Sequence, residues 1–361
     1  MKKILFIIGS LSNGGAERVV ATLSAGLSEI GYKITIVTMF DDKNIYVTDN
    51  QIKIVSIKSA SKNKALKSYK IVKDLRQHLH NADIVISFTA KINMYAILAN
   101  FLLKKRIIVS ERSDPSKNPA NKITQQTRNF LYNYVDTLVC QTPDALEYFP
   151  KRIQKKSIII SNPLPDNLPN WNEAKDNKTI ITACRLNKVK NLPMLIKAFK
   201  LINDKRTDYK LKIYGTGEIR EELLQLIYKL NLQENIELPG FTQDIHNEMS
   251  KSSLFVISSD YEGTSNSMLE ALAIGLPVIS TDAPIGGARM FIKNNYNGIL
   301  VDVGDVDGLA NSILKIIDSP SFAKKLSKNT RDIRNDLNKD KIIKEWEKII
   351  LKKGEINATK K

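Results

Sequence analysis

The sequence predicts an α/β protein with two domains, each built on a doubly wound parallel sheet. Three observations carry this. The chain has 361 residues, enough for two domains of ordinary size. Short continuous apolar runs alternate with longer amphipathic segments, as expected of strands covered on both faces by helices. The alternation breaks at Asn162-Pro163-Leu164-Pro165 and then starts again, so that stretch reads as a linker. The boundaries are accordingly 1–161 and 166–338, with a helical, Lys-rich tail.

Composition agrees with a soluble globular protein, at 42% hydrophobic and 26% charged residues. No apolar run approaches the ~20 residues that span a bilayer. The start imitates a signal peptide, but its apolar core, Ile4 to Ile8, is too short. A helix carrying Glu17 and Arg18 follows, so it reads as a first strand. Cys140 and Cys184 each end an apolar run and read as buried free thiols of a reducing cytoplasm. No Cys/His cluster has metal-ligand spacing. The net charge of +17 is uneven: residues 1–160 hold 25 Lys+Arg against 12 Asp+Glu, and residues 161–361 hold 30 against 26. A basic first half implies an acidic partner, whether anionic lipid, a phosphate-bearing substrate or nucleic acid.

In the first half, the strand at 3–8 leads to Ser12-Asn13-Gly14-Gly15 and a helix with Val19, Val20, Leu23 and Leu27 on one side. Gly31 stops it, and a strand at 33–39 follows. The Gly-rich turn lacks the full G-x-G-x-x-G fingerprint, which argues against NAD; a plain tight turn also accounts for Gly14-Gly15. Further strands are expected at 52–57, 83–87, 106–110, 137–140 and 157–160. Helices are expected near 65–79, 91–103, 120–134 and 143–149.

The second half repeats the scheme. A strand at 179–183 leads to Arg185 and Lys190, then a helix from 191 to 202. A strand at 210–214 leads to Gly215-Thr216-Gly217, and one at 235–238 ends at Pro239-Gly240-Phe241. Asp305-Val306-Asp307 precedes a helical pattern and reads as a cap. Arg185 and Lys190, at a sheet's carboxyl edge, suit a diphosphate, since Arg engages phosphate oxygens through a fork of donors. A solvated basic loop is the plainer alternative.

Residues 258–281 are the most informative stretch. A strand at 254–257 runs into a polar loop with Glu262 and Gly263. A helix follows from near Asn266 to Gly275, with Pro277 just beyond, then a strand at 278–280. Two glutamates thus lie at the sheet edge where open α/β folds bind ligands, beside a helix start suited to an anion. Ser267 and Glu270 also have capping-box spacing, so Glu270 reads equally as a cap. Glu262 precedes the helix and escapes that reading.

Glu262 and Glu270, separated by seven residues, with Ala-Leu-Ala-x-Gly-x-Pro-Val-Ile after the second, resemble the Glu-x7-Glu signature of retaining, nucleotide-sugar-dependent glycosyltransferases of the GT-B fold. That family includes many bacterial polysaccharide and lipid-linked-sugar transferases. The resemblance covers essentially the whole chain, with Gly14-Gly15, Arg185/Lys190, Gly215-x-Gly217 and Glu262/Glu270 in family order. It implies two Rossmann-like domains, with a C-terminal helix at about 339–353 crossing back to the first. It implies no cofactor and no metal, the donor being a substrate, with a UDP-sugar the expectation. Arg185 and Lys190 would hold the leaving diphosphate, Glu262 would lie against the donor sugar, and Glu270 would bind the ribose hydroxyls. Gly14 and Gly15 would approach the donor phosphates, as would backbone groups of Thr264, Ser265, Asn266, Met268 and Leu269. Phe241 would sit beside the nucleobase. Many relatives carry a His after the strand at 106–110; here Ser110-Glu111-Arg112-Ser113 stands instead. Arg18, Glu111 and Arg112 are therefore the acceptor-side candidates. His78, His80 and His246 read as surface or structural.

The expected activity is metal-independent transfer of a hexosyl or N-acetylhexosaminyl group, with retention, to a lipid-linked saccharide of a surface-polysaccharide pathway. A sugar-nucleotide epimerase on a similar scaffold is one rival. A basic nucleic-acid-binding protein is another, opposed by only 7% aromatic residues and no basic–aromatic interleaving. The expected location is the cytoplasm, peripherally on an anionic membrane face. Lys58, Lys62, Lys64, Lys67, Lys70, Lys73 and Arg76, opposed only by Asp74, would supply the contact. Phe101 to Arg106 would add to it if exposed, although Leu102 and Leu103 fit the end of a core helix.

Overall fold

The computed structural model describes residues 1–12, 14–39, 49–57, 63–172, 178–330 and 332–352. They divide into two compact units, Met1–Pro163 with the tail from Lys339, and Leu164–Asn338. Lys58 and Lys62, and the side chain of Lys64, lie outside the described residues.

The first unit's elements are β1 (Lys3–Ile8), α1 (Gly15–Glu29), β2 (Lys33–Thr38), β3 (Lys53–Ser56), α2 (Lys64–His80), β4 (Ile84–Phe88), α3 (Ala90–Asn100), β5 (Arg106–Ser110), α4 (Lys122–Leu131), β6 (Thr137–Cys140), the short α5 (Pro143–Glu147) and α6 (Lys151–Gln154), and β7 (Ser157–Ile159). The strands form one parallel sheet in the order β3-β2-β1-β4-β5-β6-β7. β1 and β4 are central, so Ile4–Ile8 and Ile84–Phe88 are buried throughout, as continuous apolar runs require. The chain winds outward from β1 to β3, then crosses back to β4, which opens a crevice between the carboxyl ends of β1 and β4.

α3 is shorter than its apolar pattern suggests. Asn100 bonds both the carbonyl (2.7 Å) and the N–H (3.1 Å) of Lys105, closing a turn there. That turn puts Phe101 and Leu102 outside, 61% and 72% exposed, so Leu102 does not end a core helix.

The second unit comprises β8 (Thr179–Ala183), α7 (Leu192–Asn203), β9 (Lys210–Tyr214), α8 (Arg220–Lys229), β10 (Ile236–Gly240), α9 (Ile245–Ser250), β11 (Leu254–Ile257), α10 (Asn266–Ile274), β12 (Val278–Thr281), β13 (Ile299–Val301), α11 (Val306–Ile317), α12 (Pro320–Lys328) and α13 (Asp332–Asp336). Its parallel sheet has the order β10-β9-β8-β11-β12-β13. β10 runs on through Pro239 and Gly240, beyond the expected stop. It is an edge strand, where a proline's missing N–H costs no ladder bond. β13 has no counterpart in the sequence reading: three residues after an Asn-rich stretch carry too little pattern. Asp305 caps α11, accepting from the Gly308 N–H at 2.8 Å, as its spacing indicated.

The last helix, α14 (Lys339–Leu351), packs in the first unit against α1. Trp346 is fully buried and stacks on Phe88 at 5.8 Å between centroids; Phe88 in turn stacks on Phe6 at 6.3 Å. A Cβ on Gly26 would meet Ile343 Cδ1 at 2.0 Å, so a side chain there would push Ile343 aside where α1 and α14 pack. Arg106 donates to the carbonyls of Ile349 and Ile350, satisfying acceptors that every helix end leaves open. Among the described residues no helix is long and apolar enough to cross a membrane.

Candidate active site

In the second unit the chain winds outward from β8 to β10 and then returns to β11. The crevice therefore opens between the carboxyl ends of β8 and β11. The loop after β8 carries Arg185 and Lys190, and the loop after β11 carries Glu262. Backbone and side-chain bonds sew the two loops together. Ser258 Oγ donates to the Lys190 carbonyl (2.8 Å), the Asp260 N–H to the Val189 carbonyl (2.9 Å), and Asn191 Nδ2 to Asp260 Oδ1 (2.6 Å). Asn187 caps the turn that presents Lys190.

Lys190 Nζ is ion-paired with Glu262 Oε2 across this seam, and Ser259 Oγ donates to the same oxygen at 3.0 Å. Burial pulls the Lys190 ammonium down, but the Glu262 carboxylate outweighs it, and the net shift is upward. Lys190 is thus firmly cationic. Arg185 is exposed and has no ion pair among the described residues.

Ser265 is the N-cap of α10, with its Oγ accepting from the Met268 N–H at 3.4 Å. Glu270 is therefore the fifth helical residue. With Ser265 rather than Ser267 as N-cap, the capping box expected of Ser267 and Glu270 does not form. Glu270 is 2% exposed and its Oε2 lies 2.9 Å from His246 Nε2, on α9. His246, read from the sequence as surface or structural, is a partner of Glu270 that spacing did not reveal. Its only signal is its place just after Phe241, and nothing in that spacing points to Glu270. Phe241 itself is 51% exposed, free to face a ring.

Thr264, Ser265, Met268 and Leu269 are buried, and Asn266 is half-buried at the helix start. A small hollow opens beside them, lined by Glu262, Gly263, Ser265, Met268, Thr281 and Gly287. A Cβ on Gly287 would stand 1.8 Å from the Gly263 carbonyl. The loop after β12 thus supports the Glu262 loop through a backbone approach that only glycine permits. Sequence reasoning passed over this loop as well.

In the first unit, Gly14 is the N-cap of α1, Gly15 is exposed, and Arg18 is half-buried on the helix's first turn. Glu111 is 1% exposed and accepts from Tyr132 Oη. Burial raises its carboxyl to about 7, against the opposing pull of Arg128. Arg112 turns the other way, to Asn162. Among the described residues no group of three or more His, Cys, Asp or Glu could hold a metal ion.

Comparison with known proteins agrees with this architecture. The family model for glycosyl transferases group 1 matches residues 165–333, and that for glycosyltransferase family 4 matches residues 13–167. A Campylobacter jejuni enzyme, N-acetylgalactosamine-N,N'-diacetylbacillosaminyl-diphospho-undecaprenol 4-alpha-N-acetylgalactosaminyltransferase, is 30% identical over 97% of this chain and 100% of its own. The amylovoran biosynthesis glycosyltransferase AmsD of Erwinia amylovora is 26% identical over 97% and 100%. The structure of Anabaena HepE in complex with UDP and glucose superposes with a TM-score of 0.86 at 18% identity, covering 98% of this chain and 100% of that one. With both halves matched by glycosyltransferase family models and a relative of this identity spanning the full length, the chain belongs to the glycosyltransferases of the GT-B fold.

Proposed function

We propose that this glycosyltransferase moves a sugar from a UDP-sugar to a hydroxyl of a lipid-linked saccharide, with retention and without a metal. One observation carries the reading: a cation and a carboxylate, Lys190 and Glu262, are paired at the sheet's switch point beside the start of α10. Breaking the bond to a nucleoside diphosphate builds negative charge on the leaving oxygens. Lys190, Arg185 and the N-terminal end of α10 would stabilise it. As Lys190 turns to the diphosphate, Glu262 is released toward the sugar, where positive charge develops at the anomeric carbon. Glu270, anchored by His246, takes the ribose hydroxyls, and Phe241 the base. Arg18 and the Gly14–Gly15 turn belong to substrate binding in the first unit.

The names of relatives support the substrate classes. The Campylobacter enzyme acts on a diphospho-undecaprenol saccharide, and HepE binds UDP and glucose. A lipid-linked acceptor implies work at a membrane face, taken here as the cytoplasmic one. Lys70 and Lys73 are exposed on α2 beside Leu66 and Tyr69, and Phe101, Leu102 and Lys104 are exposed after α3, which α2 packs against. Such a surface suits anionic lipid.

The test is a thermal-stabilisation screen of nucleotide sugars on the full chain. A UDP-sugar raising the melting temperature, followed by acceptor-dependent transfer that survives EDTA and gives a retained anomer, is the expected result. Conversion of UDP-sugar without acceptor would instead identify an epimerase.

A further inference from the structure

At the carboxyl edge of the first sheet, Arg112 follows β5, Gln141 follows β6 and Asn162 follows β7. Arg112 Nη1 donates to Asn162 Oδ1 at 2.6 Å, and Gln141 Nε2 donates to the same oxygen at 3.0 Å. The guanidinium carbon lies 4.6 Å from the centroid of Phe88, itself held by Trp346. The guanidinium therefore sits over the Phe88 ring at the end of β4. Two of its donors, Nε and Nη2, are shut off from solvent and have no hydrogen-bond partner among the described residues. The adjacent carboxylate does not serve them, because Glu111 turns to Tyr132.

A cation enclosed without a counter-charge is costly, and burial pulls this guanidinium down to about 9. Arg112 nevertheless keeps part of its side chain open to solvent. Next to Phe88, Thr89 begins the 11-residue α3 with φ of 74°, and its side chain makes no capping bond. A β-branched residue in that region is strained, and a helix start attracts anions. A guanidinium with donors unmet, beside an uncapped helix start, suits an oxyanion.

We propose that Arg112, held by Asn162 and Phe88 beside the start of α3, binds a phosphate oxyanion of a substrate. Glu111 is then a positioning residue, fixing the loop through Tyr132 without touching ligand. The site stands on the first unit's geometry; only the identity of the phosphate's owner, acceptor or donor, rests on the function proposed above.

The experiment is calorimetry on the full chain with inorganic pyrophosphate. An Arg185→Ala/Lys190→Ala chain, stripped of the second unit's loop cations, is expected still to bind it. Adding Arg112→Gln should weaken that binding about tenfold or more, the size of a lost charge-assisted pair. Adding Arg112→Lys, which keeps the charge but loses the fork, should fall between; it decides the matter if the Gln variant fails to fold. No pyrophosphate binding by the Arg185→Ala/Lys190→Ala chain overturns the proposal. So does binding unchanged by both Arg112 substitutions, which would leave Arg112 as a structural tie to Asn162. UDP titrated into the single Arg112→Gln variant assigns the owner: unchanged affinity means the acceptor's phosphate, and a tenfold loss means the donor's. Absence of UDP binding by the unaltered chain would count against the donor reading alone and leave the pyrophosphate result standing.

Discussion

Lys190 and Glu262, 72 positions apart, are ion-paired where the carboxyl ends of β8 and β11 part. The pair holds both side chains in place across the seam between the two loops. On the function proposed above, a diphosphate arriving at this crevice would compete with Glu262 for the same ammonium.

Arg185→Ala and Lys190→Ala are expected to lower kcat by about 100-fold each, with smaller effects on KM. Their cations meet charge that grows in the transition state. Steady-state kinetics with the UDP-sugar found in the screen reads this. A loss confined to KM would mean that the two residues bind ground and transition states alike.

Glu262→Gln should abolish transfer but bind UDP like the unaltered chain, whereas Glu270→Ala should weaken UDP by roughly 1–3 kcal/mol. His246→Ala should shift UDP affinity in the same direction, since it removes one anchor of the Glu270 carboxylate, 2.9 Å away, and His246→Gln should restore it. Calorimetry on the four variants decides; UDP binding indifferent to both Glu270 and His246 would make their contact structural only.

Anionic liposomes should bind the protein reversibly at low salt. Lys67, Lys70 and Lys73 changed to Glu should remove about 3 kcal/mol of adsorption, at ~1 kcal/mol per basic residue near the surface. Co-sedimentation should fade at high salt, because surface charges are screened within about 8 Å at physiological ionic strength. Binding that ignores lipid charge, or survives the triple reversal, returns these lysines to a solvated face.

Glu111 gives the first unit a pH dependence of definite sign. Its folded carboxyl is raised to about 7 from the usual 4.5, mainly by burial, so between these values the folded state holds a proton that the unfolded state has lost. Stability should therefore fall as pH rises from about 4.5 to 7, by about 3 kcal/mol in all, and level off above. Glu111→Gln should flatten the slope while keeping a partner for Tyr132. Urea unfolding of a Trp171→Phe chain, in which Trp346 reports on the first unit, measures this at pH 5 and 8. A slope identical in Glu111→Gln would assign the effect elsewhere.

The sequence by itself determined the two parallel sheets, because strands buried on both faces must be continuous apolar runs, and Ile4–Ile8 or Leu254–Ile257 are unmistakable as such. It also located the crevice at the second sheet's switch point, since Glu262 stands between a buried strand and a helix start. Asp305 was legible as a cap because its partner is three residues away. Tertiary structure alone decided the contacts of long separation. Lys190 meets Glu262 and His246 meets Glu270 only because β8 and β11 are sheet neighbours and α9 packs on α10. The choice between Glu111 and Arg112 was equally closed to the sequence. Adjacent residues leaving a strand point to opposite faces, and only the surroundings show that Glu111 goes to Tyr132 and Arg112 to Asn162. A one-dimensional pattern records which side of an element is apolar, but not which distant polar group completes it.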